Sequence, residues 1–136
     1  MIRRIDLMFL TLASLCMVAG IIMGLVMGVR QDFTLAPVHG HLNLLGWASL
    51  ALYGLAYRCY PRLGSAGSRW VHLVLSGSAA ILFPIGLAYE LQQGAGTLIV
   101  IAAPLWLAGA VVFCIAVISH LLARGDSGSM PDSGRA

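Results

Sequence analysis

The sequence contains no lysine and few charged residues of any kind. Only 10% of its 136 residues are charged, whereas 60% are hydrophobic, and the mean hydropathy is +0.91. A soluble domain carries about 25% charged residues, so these values exclude an ordinary water-soluble fold and a disordered chain. All eight basic residues are arginines that lie between or beyond long apolar runs, which is typical of membrane orientation and not of a nucleic-acid-binding face. We therefore expect one small integral membrane domain in a lipid bilayer, with no nucleic-acid partner.

Catalytic side chains are also scarce. Cys16, Cys59 and Cys114 form no CxxC motif, which excludes thioredoxin chemistry, a zinc knuckle and covalent c-type haem attachment; we expect them to be buried as small hydrophobic residues. Asp6 and Glu90 stand at the ends of apolar runs, where we expect them to reach the membrane interface. No carboxylate pair, Ser/His/Asp set or glycine-rich phosphate loop supports a hydrolase or a transferase.

Four apolar runs are each long enough to cross a bilayer, which takes about 20 helical residues. They predict transmembrane spans at about residues 5–29, 37–60, 70–89 and 97–122. Because the connections are short, neighbouring spans should be antiparallel, so the predicted fold class is an all-α, integral membrane, four-helix up-down bundle. Residues 1–123 would form this domain, and residues 124–136, rich in Gly, Ser, Asp and Pro, a disordered tail.

The arginines predict the orientation. Seven of them fall on the side of the two termini and of the loop between spans two and three, and only Arg30 falls on the other side. This asymmetry predicts a multi-pass protein of the cell (inner) membrane with both termini cytoplasmic. Gly20, Gly24 and Gly28 form a GxxxGxxxG row on span one, which should meet a neighbouring helix of the bundle or of another copy.

The four histidines are the side chains suited to metal or acid-base work in the membrane. His72 and His120 stand at the cytoplasmic ends of spans three and four, where we expect interfacial positions, with a second metal site as the alternative. His39 and His41 open span two on the outer side. Two residues on a helix are separated by about 200°, so the two imidazoles should point to opposite sides, while Gly40 leaves the backbone uncovered for a flat macrocycle. The spacing alone leaves metal or haem binding and structural hydrogen bonding equally open.

The stretch VHGHLNLLGWASLALYGLAYRCYP, Val38 to Pro61, resembles the second transmembrane helix of subunit I of the haem-copper oxidase superfamily, and most closely its nitric oxide reductase branch. In that family a His-x-Asn-Leu-Leu start leads through Gly and Tyr to a Pro at the helix end, and its histidine is an axial ligand of the low-spin haem. The matching residue is His41, followed by Asn43, with Tyr57 and Pro61 further on. The resemblance covers residues 38–61 and none of the other three spans.

The resemblance also implies an assembly. Subunit I of the family has twelve helices in three four-helix arcs, and a His-x-His pair in its tenth helix ligates haems on opposite sides. This chain is similar to a single arc, so a homotrimer would rebuild the twelve-helix plan with haem b held between His41 of one copy and His39 of the next. Bis-histidine ligation would use both outer histidines and leave none for a second metal, which suits electron transfer or haem handling, with a possible redox partner, and not an oxidase.

The neighbouring residues have several interpretations. Asn43 would bond a haem edge or a nearby backbone group, and Trp47 would stack on the macrocycle, although core packing is the favoured reading. Met23 and Met27 offer a His–Met pair within one subunit as an alternative. Two other functions stay open: a cofactor-free assembly or partner subunit, and a copper-binding protein in which both histidines share one ion through an unwound helix start.

Overall fold

The computed structural model describes residues 4–94 and 96–126. Over this range the chain forms four helices and no strand, which confirms the predicted all-α class. They are α1 (Ile5–Arg30), α2 (residues 36–59), α3 (Ala66–Gln93) and α4 (Thr97–Asp126). Helix α2 is composite, because α-helical segments at Ala36–His41 and Leu50–Cys59 flank a π-helical segment at Leu42–Ser49.

Helix α3 extends beyond the predicted span 70–89 at both ends because of local capping. The Ser65 hydroxyl accepts a hydrogen bond from the Ser68 backbone N–H at 3.1 Å, which satisfies one of the free donors of the first turn. At the other end Gly94 adopts a left-handed conformation with φ of 66°, and its N–H bonds the Glu90 carbonyl. Hydropathy marks the membrane-buried part of a helix, whereas these caps mark its ends.

Helix α4 extends further toward the C-terminus than predicted. Residues 124–126, assigned above to a disordered tail, continue the helix to Asp126, so this part of the prediction is wrong. The helical pattern of backbone hydrogen bonds continues past the last apolar side chains. The rest of the predicted tail, 127–136, lies outside the described residues.

Three of the described helices are long and apolar enough to cross a membrane. The most apolar stretches of α1, α3 and residues Thr97–Ala123 have mean hydropathies of 2.4, 1.9 and 2.6. Only 22% of the stretch in α1 and 11% of that in α4 is buried. Most of their apolar surface therefore faces outward, where lipid or another membrane helix would cover it.

Glycines set the close helix contacts. A Cβ atom at Gly86 would lie 2.8 Å from the Leu98 Cβ, so α3 and α4 approach closely there. On α1, Gly20 faces the Asn43 side chain and Gly24 faces the His39 ring, whereas nothing lies within 4 Å of Gly28. The predicted glycine row therefore contacts α2 of the same bundle at two of its three positions.

A buried aromatic cluster joins the helices on the side where α1 begins. It comprises Phe9 of α1, Tyr53 and Tyr57 of α2, His72 of α3 and Phe113 of α4. His72 is fully buried, and its Nδ1 lies 2.8 Å from the Tyr57 hydroxyl. His72 is therefore enclosed by the bundle, where the Tyr57 hydroxyl gives the imidazole a buried hydrogen-bond partner.

Buried charges support the same end of the bundle. Asp6, expected at the interface, is 6% exposed and pairs with Arg58 of α2 at 3.3 Å. Arg69 is buried as well, and its guanidinium donates hydrogen bonds to the carbonyls of Pro61, Leu63 and Gly64. These bonds hold the loop between α2 and α3 against the bundle.

Candidate functional site

The candidate site is the first turn of α2 and the surfaces it contacts. Helix α2 begins at Ala36, and Pro37 occupies its first turn, where a missing N–H costs nothing. His39 and His41 follow within the same α-helical segment. The start of the helix is therefore regular at both histidines.

A turn in the preceding loop leads into this helix. The Asp32 carboxylate accepts hydrogen bonds from the Thr34 hydroxyl at 2.6 Å and from the Thr34 N–H at 3.0 Å. The pKa of Asp32 lies below its usual range, mainly because of the hydrogen bond from the Thr34 hydroxyl, then because of the backbone hydrogen bond, and to a lesser extent because of the charge of Arg30. The loop that precedes α2 is therefore shaped by an ionised side chain.

The His41 ring is oriented from two sides. Its Nδ1 lies 2.7 Å from the Pro37 carbonyl oxygen, and its ring stacks on Phe83 of α3 with centroids 4.9 Å apart. Because a carbonyl only accepts, this geometry assigns the proton to Nδ1 and leaves a lone pair on Nε2. Among the described residues, Nε2 has no hydrogen-bond partner.

His39 faces the other way, into the seam between α1 and α2. Its Nδ1 lies 3.0 Å from the Gly20 carbonyl oxygen, and its Cε1 would be 3.0 Å from a Cβ atom at Gly24. The Asn43 amide donates to the His39 carbonyl at 2.8 Å and lies 3.4 Å from each ring nitrogen. The carbonyl of Gly20 again assigns the proton to Nδ1.

The two imidazoles thus contact different helices, His39 contacting α1 and His41 contacting α3. The opposite orientation derived from the helical repeat is therefore present. In this conformation the two rings do not share one ion, and the helix start that a shared copper ion would have to unwind is α-helical. A His–Met pair of His41 with Met23 or Met27 of α1 within one chain would have to reach around α2, since His41 lies on its α3 side.

Sequence reasoning missed the π-helical segment that follows His41. Two side-chain donors compete for backbone carbonyls in this region: Asn43 bonds His39 O, and the Ser49 hydroxyl bonds Leu44 O at 2.8 Å. Such bonds weaken the regular helical ladder, and π-helical turns in α-helices occur frequently at functional sites. The small polar residues Asn43 and Ser49 within an apolar span were the available signal.

Gly40 and Trp47 lie on less enclosed parts of α2. A Cβ atom at Gly40 would meet nothing within 4 Å, so the backbone between the two histidines is uncovered as predicted. Trp47 is 36% exposed, and the core packing favoured for it from sequence is wrong. The indole therefore has surface available to a neighbouring molecule.

The structure does not bring His72 and His120 into one site. His72 is enclosed in the aromatic cluster, whereas His120 packs edge-on to Tyr60 in a surface groove of about 790 Å³. Cys16 is buried as expected, but Cys59 and Cys114 are exposed. Among the described residues, no three His, Cys, Asp or Glu side chains come together to hold a metal ion.

Comparisons with known proteins found no counterpart. No family model matches the chain, and neither the curated proteins nor the solved structures include a significant match. The resemblance of residues 38–61 to the haem-copper oxidase superfamily therefore stays a prediction.

Proposed function

We propose that this protein is a membrane b-type haem protein for electron transfer or haem handling. His41 of one copy would supply one axial ligand, and His39 of a neighbouring copy the other, in a homotrimer that resembles the three-arc plan of haem-copper oxidase subunit I. When bound, the haem iron would supply a one-electron redox centre. With both axial positions filled by histidine, such a haem suits electron transfer better than the binding of a gas.

The orientation and hydrogen bonding of the His41 ring are the observations that carry this proposal. Histidines that ligate metals usually donate their second ring nitrogen to a carbonyl or a carboxylate. His41 has this arrangement in its contact with the Pro37 carbonyl at 2.7 Å, and Phe83 fixes the plane of the ring. The lone pair on Nε2 is thereby directed and unused, which favours a ligand role over a structural one.

The surroundings of the histidine pair support the approach of a flat macrocycle. Gly40 has no neighbour within 4 Å of its Cβ position, and Trp47 exposes part of its indole on the same helix. An aromatic ring can stack on a porphyrin face. The Asn43 side chain bonds the His39 carbonyl and lies against Gly20, so it would hold the start of α2 against α1.

The opposite orientation of the two rings supports ligation between copies. Since His39 and His41 contact different neighbouring helices, one α2 helix does not direct both at one iron. Ligation through His39 would require its Nε2 to exchange the long 3.4 Å contact with Asn43 for the iron. Its Nδ1 contact with the Gly20 carbonyl resembles the second hydrogen bond of a ligand histidine.

The first test is the visible spectrum of the detergent-purified protein, oxidised and dithionite-reduced, with a haemochrome assay. We expect sharp reduced bands of b type that are lost, or converted to high-spin bands, in both His39→Ala and His41→Ala. His120→Ala is the matched control and should leave the bands unchanged. Bands that survive His39→Ala but not His41→Ala would refute ligation by both histidines and place the second ligand elsewhere.

A mixing experiment tests whether the site lies between copies. Neither histidine variant alone can form a complete His39–His41 pair. When the two variants are produced together, some interfaces join an intact His41 to an intact His39, so low-spin haem should partly return. No recovery in mixed assemblies, verified by two affinity tags, would refute the intersubunit arrangement.

A cofactor-free assembly subunit is the second candidate, because His39 and Asn43 already make structural contacts. The His39 ring bonds α1 through Gly20, and Asn43 bonds the α2 backbone. Under this function the purified protein would be colourless even after haem is supplied during expression. His39→Ala would then weaken the α1–α2 packing without any spectral consequence.

A further inference from the structure

We propose that the groove between α1 and α3 binds one anionic phospholipid, with the phosphate at Arg4 and an acyl chain along the groove. The proposal concerns a different surface from the histidine pair and does not depend on haem binding.

The groove has the dimensions of an acyl chain. It has a volume of about 790 Å³ and runs from Arg4 to Leu15 along α1 and from Trp70 to Ile81 along α3. At 1.5 Å per residue, the stretch of α1 that lines it is roughly 16 Å long. This is about half of the ~30 Å hydrocarbon core, the depth that one leaflet contributes.

The walls of the groove are apolar along this length. Leu7 and Leu15 of α1 face Leu73 and Val74 of α3 across it. The Ser78 hydroxyl is bonded to the carbonyl of its own helix at 2.6 Å and therefore presents little polarity to an occupant.

A positive charge stands at one end only. Arg4 is exposed and has no carboxylate partner among the described residues. Asp6, two residues further on, does not neutralise it, because Asp6 is buried against Arg58 of α2. No acidic side chain lines the groove, so an anionic group beside Arg4 would meet attraction without competing repulsion.

An apolar groove with a single positive charge at one end fits an amphiphile that has one anionic end. Trp70 is 42% exposed at the same end of the groove, and indole side chains favour the headgroup level of a membrane. A phospholipid whose headgroup carries a net negative charge matches the charge of Arg4, the indole beside it and the apolar groove. A zwitterionic lipid would fill the groove but would be attracted less strongly by Arg4.

The test compares lipid retention by native mass spectrometry of the full chain. Phosphatidylglycerol and phosphatidylcholine with identical acyl chains are supplied in equal amounts before detergent exchange. One basic side chain near the membrane surface changes the affinity for anionic lipid roughly fivefold. We therefore expect the wild type to retain phosphatidylglycerol with about that preference, and Arg4→Gln to lose it.

Two controls separate this site from general effects. Arg62→Gln removes an exposed arginine of the α2–α3 loop that does not line the groove, so it should preserve the preference. Thr11→Phe fills the groove from an exposed wall position and should lower the retention of both lipids, whereas Ile21→Phe, on α1 outside the groove, should not.

Two results would overturn the proposal. One is an equal loss of preference in Arg4→Gln and Arg62→Gln, which would indicate only diffuse electrostatics. The other is unchanged lipid retention in Thr11→Phe; if the oligomeric state of that variant changes at the same time, the groove is a contact between copies.

Discussion

Removal of one hydroxyl should test the buried contact between α2 and α3. Tyr57→Phe keeps the ring that packs on Phe9 at a centroid distance of 5.7 Å and beneath the Arg69 guanidinium. It removes the 2.8 Å hydrogen bond to Nδ1 of His72. Nε2 of His72 already lacks a partner among the described residues, so the substitution would leave the whole imidazole unsatisfied.

The magnitude follows from the burial of His72. A buried polar group that loses its partner costs roughly 1–3 kcal/mol, and His72 has no exposed surface through which lipid headgroups or water could replace the hydroxyl. We therefore expect the free energy of unfolding, measured by denaturant titration in mixed micelles, to fall by about 1–3 kcal/mol. Tyr53→Phe is the matched control. Its ring belongs to the same cluster, but its hydroxyl bonds no described residue, and its effect should stay within about 0.5 kcal/mol.

A double-mutant cycle isolates the hydrogen bond from the packing. His72→Leu alone strands the Tyr57 hydroxyl, whereas the double variant with Tyr57→Phe removes both polar groups. The two changes should therefore cost less together than the sum of the single effects, with a coupling of roughly 0.5–3 kcal/mol. Additive effects, or equal losses for Tyr57→Phe and Tyr53→Phe, would refute the assignment of stability to this bond.

Two further predictions concern single contacts. Gly109→Ala would place a methyl group against the Ser76 hydroxyl and should lower the free energy of unfolding by roughly 1–3 kcal/mol. Ser76→Ala removes a buried hydroxyl without a described partner, so it should cost little alone and should restore most of the stability lost in Gly109→Ala. A double variant no more stable than Gly109→Ala would contradict the contact. Thr34→Ala should raise the pKa of Asp32, because it removes the hydroxyl hydrogen bond that contributes most to lowering it. Since the folded-state pKa is lowered, the turn should stabilise the fold above the usual Asp pKa and lose this contribution as the pH falls through the folded value; an unchanged carboxyl midpoint in an NMR titration would refute this.

The helices could be predicted from sequence because membrane spans depend mainly on local composition. Helix α1, predicted at residues 5–29, runs from Ile5 to Arg30, since an apolar run bounded by arginines contains nearly all the information that sets its ends. Helix α3 extends further than predicted because its caps at Ser65 and Gly94 are polar and lie outside the apolar run.

Positions around a helix axis were harder to predict than positions along it. The positions of His72 and Asp6 in the chain place them near the ends of their spans but do not say which way they face, and both side chains turn inward to polar partners on α2. In a helix that is apolar on all sides, hydropathy does not distinguish the face toward lipid from the face toward a neighbouring helix. Tyr53 and Tyr57 share one face of α2, and their spacing is compatible both with hydrogen bonds across helices and with an aromatic belt; the structure shows the first for Tyr57.

For the histidine pair, local helix geometry determines the side of α2 on which each ring lies, and helix packing determines what each ring contacts. The helical repeat alone places His39 and His41 on opposite sides of α2, because the repeat is fixed by backbone hydrogen bonding. It does not say which helix each ring meets, since that depends on how α1 and α3 pack. Gly20 and Gly24 leave the space on α1 that His39 occupies, while Phe83 on α3 supplies the ring on which His41 stacks. The two residues have identical side chains but unequal freedom: His39 must exchange an existing contact to bind a metal, whereas His41 presents an unused nitrogen. For this reason, loss of haem in His41→Ala together with its retention in His39→Ala would fit the packing of a single chain. Loss in both variants, followed by recovery when the two variants are assembled together, is the result that requires a second copy.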